Sequence, residues 1–111
     1  MEKIKLLVVC AEEEILETMI RLLGKEEKWE ARGAGSAEKA IRLFQEDRFD
    51  LVLLGSGIDA ESESGIVRKC REKDPGIKIV QHFGGGGGLL FNEILAALSD
   101  NPDGNIRING I

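Results

Sequence analysis

Short apolar runs separated by one-sided amphipathic stretches constrain this chain most. Ile4 to Val9 is almost continuously apolar and rich in branched residues, the pattern of a strand covered on both faces. Ile15, Met19, Leu22 and Leu23 then recur at helical spacing and end at Gly24. Trp29 to Arg32 is a second, short strand. Ser36 suits a helix N-cap, and Ala37, Ala40, Ile41 and Phe44 form a clean one-sided face behind it. Phe49 to Leu54 is a second run, apolar apart from Asp50 and read as a central strand, and Gly55 to Ser64 reads as a polar loop. Ile66, Val67 and Cys70 mark a third helix, stopped near Asp74-Pro75-Gly76. Ile77 to Val80 is a fourth strand. Leu90, Phe91, Ile94, Leu95 and Leu98 give a fourth helix, and Ile106 and Ile108 follow the Asn101-Pro102-Asp103-Gly104 turn as a fifth strand.

Strand and helix therefore alternate about every 20–25 residues along 111 residues of chain. Parallel strands need such crossovers, and right-handed ones wind helices onto both faces. The expectation is one α/β domain over residues 1–111. It is a doubly wound, flavodoxin-like parallel sheet of five strands, with the last helix apparently missing. In such folds chemistry collects at the carboxyl ends of the strands. Here those ends are Cys10-Ala11, Gly33 to Gly35, Gly55-Ser56, Gln81-His82-Phe83 and Asn109-Gly110.

The formal net charge of −5 argues against direct nucleic-acid binding and against an anionic membrane surface. No apolar run approaches the roughly 20 residues of a membrane span. The start lacks the form of a signal peptide, and two cysteines are too few for a disulfide scaffold. A cytoplasmic location is the expectation.

Three stretches together resemble the receiver domain of response regulators, the CheY-like signalling domain of two-component systems and phosphorelays. They are Lys5 to Val9 with the acidic helix start after it, Ala34 to Ile41, and Phe49 to Leu54. The resemblance covers about residues 3 to 82 and implies a phosphoacceptor aspartate after the third strand. It also implies two acidic residues after the first strand to hold Mg²⁺, a hydroxyl after the fourth and a lysine after the fifth. A carboxylate must attack phosphorus while the cation neutralises developing charge. This chain departs at all five positions. Gly55 stands at the phosphoacceptor, Cys10 and Ala11 at the acidic pair, His82 at the hydroxyl and Asn109 at the lysine. With Glu12 beside them, these residues outline a degenerate pocket. The expectation is a non-enzymatic pseudo-receiver acting by protein contacts, without cofactor, metal or aspartyl phosphorylation.

Other residues invite chemistry of their own. Glu12, Glu13, Asp59, Glu61 and Glu63 would suit a divalent cation, yet acidic residues also favour helix N-termini. Gly84, Gly85, Gly86, Gly87 and Gly88 precede a helix and offer bare N–H groups to an anion. A small-ligand or anion-binding domain built on that loop is the alternative function. No Lys-Ser/Thr follows the glycines, so this is not a Walker loop, and a flexible connector fits them as well. His82 is the single histidine; Cys10 and Cys70 are candidates for a redox pair, but they lack the Cys-x-x-Cys spacing that would support one. Leu89, Leu90, Phe91, Ile106 and Ile108 are more apolar than one buried face needs. They are the expected interface, through the fourth helix and fifth strand, for a dimer or a protein partner.

Overall fold

The computed structural model describes residues 3–81 and 94–98. Four strands, β1 (Ile4–Val9), β2 (Trp29–Ala34), β3 (Leu51–Leu54) and β4 (Lys78–Gln81), form one parallel sheet in the order β2-β1-β3-β4. Three helices connect them: α1 (Glu13–Leu23), α2 (Ala37–Glu46) and α3 (Ala60–Lys73). Residues 94–98 are helical.

The continuous apolar runs end in the middle of the sheet because their side chains alternate between two cores. Leu7, Val9, Val52 and Leu54 point to one face and pack with Ala40 and Phe44 of α2 and Ile66 and Cys70 of α3. Leu6, Val8, Leu51 and Leu53 point to the other face and pack with Met19 and Leu23 of α1. All eight strand residues are 2% exposed or less. Burial at that level is worth about 1.5–3 kcal/mol for each side chain.

The inner face of α1 differs from the sequence expectation. Leu16, Met19, Ile20 and Leu23 face the sheet, whereas Ile15 is 40% exposed. The spacing 16–19–20–23 fits the helical period as well as the expected set does, and contact with Gly33 selects it: a Cβ there would meet Leu16 Cδ1 at 3.3 Å. The helix α3 also begins earlier than expected. Asp59 caps it by accepting the Ser62 N–H at 2.7 Å, which converts part of the expected polar loop into a helical turn.

Residues 94–98 correct the topology. Ile94 is fully buried in the core beside α1, with Ala97 and Leu98 packed against it, while Leu95 stays 49% exposed. The direction of chain travel explains the significance. Moving from β1 to β2 puts α1 on one face, and moving back through β3 to β4 puts α2 and α3 on the other. A right-handed crossover beyond β4 would keep to the α3 face, and about 98% of such crossovers are right-handed. The helix at 94–98 lies on the α1 face instead. The described sheet has four strands where five were expected, and Ile106 and Ile108 lie outside the described residues.

Candidate functional site: the closed carboxyl edge of the sheet

The carboxyl ends of β1 and β3 adjoin at the centre of the sheet, where the strand order reverses. Cys10 follows β1 and is fully buried. Its N–H donates to the Ala34 carbonyl at 3.0 Å, and its Sγ–H donates to the Glu12 carbonyl at 3.5 Å. The Ser56 Oγ lies 3.8 Å from the same sulfur. Gly55 follows β3 and donates its N–H to the Val9 carbonyl.

These bonds leave little room. A Cβ on Gly55 would stand 3.2 Å from both the Cys10 Cβ and the Val9 oxygen, and 3.4 Å from the Cys10 Sγ. A side chain at 55 would thus start out crowded by the Cys10 Cβ and the Val9 carbonyl, with the thiol in van der Waals contact. The flanking loops are knitted together as well. Ala11 donates its N–H to the Ser56 carbonyl at 3.1 Å. Gly57 has φ +85°, and a Cβ there would lie 2.8 Å from that of Ala11.

Of the expected pocket residues, the structure brings Cys10, Ala11, Glu12 and Gly55 together. His82 and Asn109 lie outside the described residues, as do Gly84 to Gly88, Leu89, Leu90 and Phe91. Ser56, named among the strand ends, adjoins the site, and so does Gly57, which the sequence reading did not single out. The run Gly55-Ser56-Gly57 after a strand was the available sign of a tight turn.

Two of the carboxylates expected near this edge, Asp59 and Glu63, have other partners. Asp59 caps α3, and its bond to the Ser62 N–H holds its carboxyl below the usual range. Glu63 accepts from the Gln81 Nε2 at 2.5 Å, tying the end of β4 to α3. Among the described residues, no three His, Cys, Asp or Glu side chains converge as a metal group. The two cysteines belong to opposite cores with the sheet between them, so they form no redox pair. Burial pushes the Cys70 thiol up to about 11, which keeps it protonated and inert.

The comparisons with known proteins agree with this architecture. No protein-family model matches the chain, and no curated protein does. Solved structures do. A response regulator receiver domain protein from Clostridium thermocellum is 28% identical, with a TM-score of 0.64, covering 84% of this chain and 73% of its own. The response regulator TrrA of Thermotoga maritima, in complex with Mg²⁺ and BeF, is also 28% identical. Its TM-score is 0.61, over 73% of this chain and 71% of its own. A complex of the histidine kinase ThkA with TrrA aligns with a TM-score of 0.67 at 23% identity, over 86% of this chain and 99% of the matched one. Among the described residues no helix is long and apolar enough to cross a membrane. In its strand order and its two-faced helical cover, the chain has the receiver-domain fold of response regulators.

Proposed function

We propose that this chain is a pseudo-receiver: a signalling module of two-component type that works through protein contacts and takes no phosphoryl group on aspartate. The observation that carries the reading is the crowding at Gly55. A phosphoacceptor carboxylate needs both a side chain at this position and an open face beside it. Here position 55 has no side chain, a Cβ on it would meet the Cys10 Cβ and the Val9 oxygen at 3.2 Å, and Ala11 has no ligand atom for Mg²⁺. Phosphoryl transfer to a carboxylate depends on such charge neutralisation. The receiver fold supports the signalling role. The ThkA–TrrA complex supports a protein partner of histidine-kinase type for a domain of this shape. A second copy of the chain is the other partner of this class. The contact surface we assign includes the apolar set Leu89, Leu90, Phe91, Ile106 and Ile108.

The test is incubation with acetyl phosphate and Mg²⁺, followed by intact-protein mass spectrometry. The expected spectrum is unchanged. A stoichiometric species about 80 Da heavier, the mass of one phosphoryl group, overturns the reading.

A further inference from the structure

The sheet ends on one side at β2, and the outer edge of that strand is regular. All six residues of β2 pair in register with β1. The strand has neither a bulge nor a proline, two of the devices that blunt an exposed edge. Among the described residues no strand lies beyond it.

The ladder fixes where each backbone group points. The Lys28 carbonyl accepts the Ile4 N–H at 2.8 Å, and the Ala34 carbonyl accepts the Cys10 N–H at 3.0 Å. Even-numbered residues of this stretch therefore turn their N–H and C=O groups towards β1. By alternation Ala31 and Gly33 turn theirs outward. Trp29 alternates likewise, but its N–H is bonded to the Glu26 carbonyl at 3.1 Å. Side chains alternate too. Ala31 packs against the α1 core and Ala34 lies in the α2–α3 core, so Glu30 and Arg32 share the α2 face. Arg32 is 46% exposed and lies 3.8 Å from the Asp47 carboxylate, which Lys5 holds more closely at 2.7 Å. Its five N–H donors leave it able to take a second carboxylate. Glu30 has no ion pair among the described residues and acts on the Lys5 ammonium at longer range.

We propose that β2 pairs with β2 of a second copy of this chain, antiparallel about a two-fold axis at Ala31. Among the two-fold registers centred on β2, charge selects this one. An axis at Glu30 or at Arg32 sets that residue against its own copy, like charge on like. An axis at Gly33 or Ala34 sets Arg32 against the neutral Ala34 or Ser36. An axis at Trp29 needs the N–H that the Glu26 carbonyl already holds. The axis at Ala31 bonds each Ala31 N–H to the Ala31 carbonyl of the second copy. It also sets each Glu30 opposite Arg32 of the second copy, at the non-hydrogen-bonded positions where cross-strand side chains stand closest. The strand is thus complementary to itself, which favours a second copy over an arbitrary extended peptide. A pairing this short buries less than a standard interface, so the dimer is weak, with a Kd of about 1 μM to 1 mM. It uses neither the carboxyl edge nor the apolar set assigned above, and the outcome of the acetyl phosphate test does not bear on it.

The experiment is sedimentation equilibrium of the full chain at concentrations up to about 1 mM, the weak end of specific association. A monomer–dimer equilibrium is expected. Glu30→Arg sets arginine against arginine, and Arg32→Glu sets glutamate against glutamate. Each should weaken self-association by about tenfold, since two cross-strand pairs change from attraction to repulsion. Mixed in equal amounts, the two variants should pair with each other, because every opposed position then joins arginine to glutamate. Circular dichroism reports that the variants remain folded. Should either fail to fold, hydrogen exchange of the unaltered chain, read by NMR, decides: the Ala31 amide should exchange more slowly as concentration rises through the dimerisation range. Four results overturn the proposal: a monomer at every concentration, a dimer equally tight in both single variants, no association of the mixed variants, or Ala31 exchange that does not depend on concentration.

Discussion

Gly57 and Gly65 show how differently one residue type can act. Gly57 sits at φ +85° with Ala11 only 2.8 Å from any added Cβ. Gly57→Ala should lower stability by about 1–3 kcal/mol, from backbone strain and overlap together. Gly65 lies inside α3 with open space around it. Gly65→Ala should raise stability by about 0.5–1 kcal/mol through helix propensity alone. Urea unfolding of the two variants checks both signs. Gly55→Asp belongs to the first kind. Its Cβ would crowd the Cys10 Cβ and the Val9 carbonyl oxygen at 3.2 Å, so it should cost about 1–3 kcal/mol. It should also fail to restore phosphoryl uptake, measured with acetyl phosphate, because Cys10 and Ala11 offer no carboxylate to Mg²⁺. The replacements at positions 10, 11 and 55 were legible in the sequence. Their mutual packing was not, because Cys10 and Gly55 meet only when β1 and β3 pair.

At the scale of elements, α2 and α3 are joined at their carboxyl ends. The Lys73 ammonium donates to the Phe44 and Asp47 carbonyls and lies 5.2 Å from the Phe44 ring centroid. It thereby satisfies carbonyls that the end of α2 leaves without intrahelical partners. Lys73→Ala should cost about 1 kcal/mol, read from the urea midpoint; a value near zero would show that water replaces the ammonium fully. Asp47, next in the chain to α2, has its carboxyl held below the ordinary range, first by the Lys5 hydrogen bond and then by the Arg48 N–H. Asp59 is lowered in the same direction by its cap bond. A depressed folded-state value means the native protein binds fewer protons than the unfolded chain below about pH 5. The contribution is present above the unfolded value and is lost as pH falls through the folded one. Stability should therefore drop on acidification below about pH 4, and Asp47→Asn should flatten that drop in a pH series of thermal melts. The Ser36 cap was visible in the sequence, and the structure places its Oγ on the Lys39 N–H at 3.2 Å. The Asp59 cap was hidden because Ser62, Ser64 and Gly65 are weak helix formers, and packing of Ile66 and Cys70 overrides them.

For the whole molecule, the uneven cover of the two faces matters most. One core is roofed by α2 and α3, the other by α1 and the helix at 94–98. Ile94 alone of that last helix is fully buried. Ile94→Ala should cost about 2–5 kcal/mol. Trp29 lies in the same core, so its emission should follow the loss of packing. A cost under about 0.5 kcal/mol, the range of ordinary surface substitutions, would mean that the helix contributes little to this face.

The sequence by itself determined the layers: continuous apolar runs need helices on both sides, and the spacing of those runs permits only crossovers between parallel strands. It also determined that Cys, Ala and Gly stand at positions 10, 11 and 55, the basis of the pseudo-receiver proposal, since side-chain chemistry is readable one residue at a time. Only the tertiary structure decided which face the last helix covers, because Ile94, Leu95 and Leu98 have an apolar pattern that fits either side of a sheet. The crowding of Gly55 by Cys10 and Val9 was decided the same way. It depends on residues some 45 positions apart, and distances across a fold are not a property of the chain order.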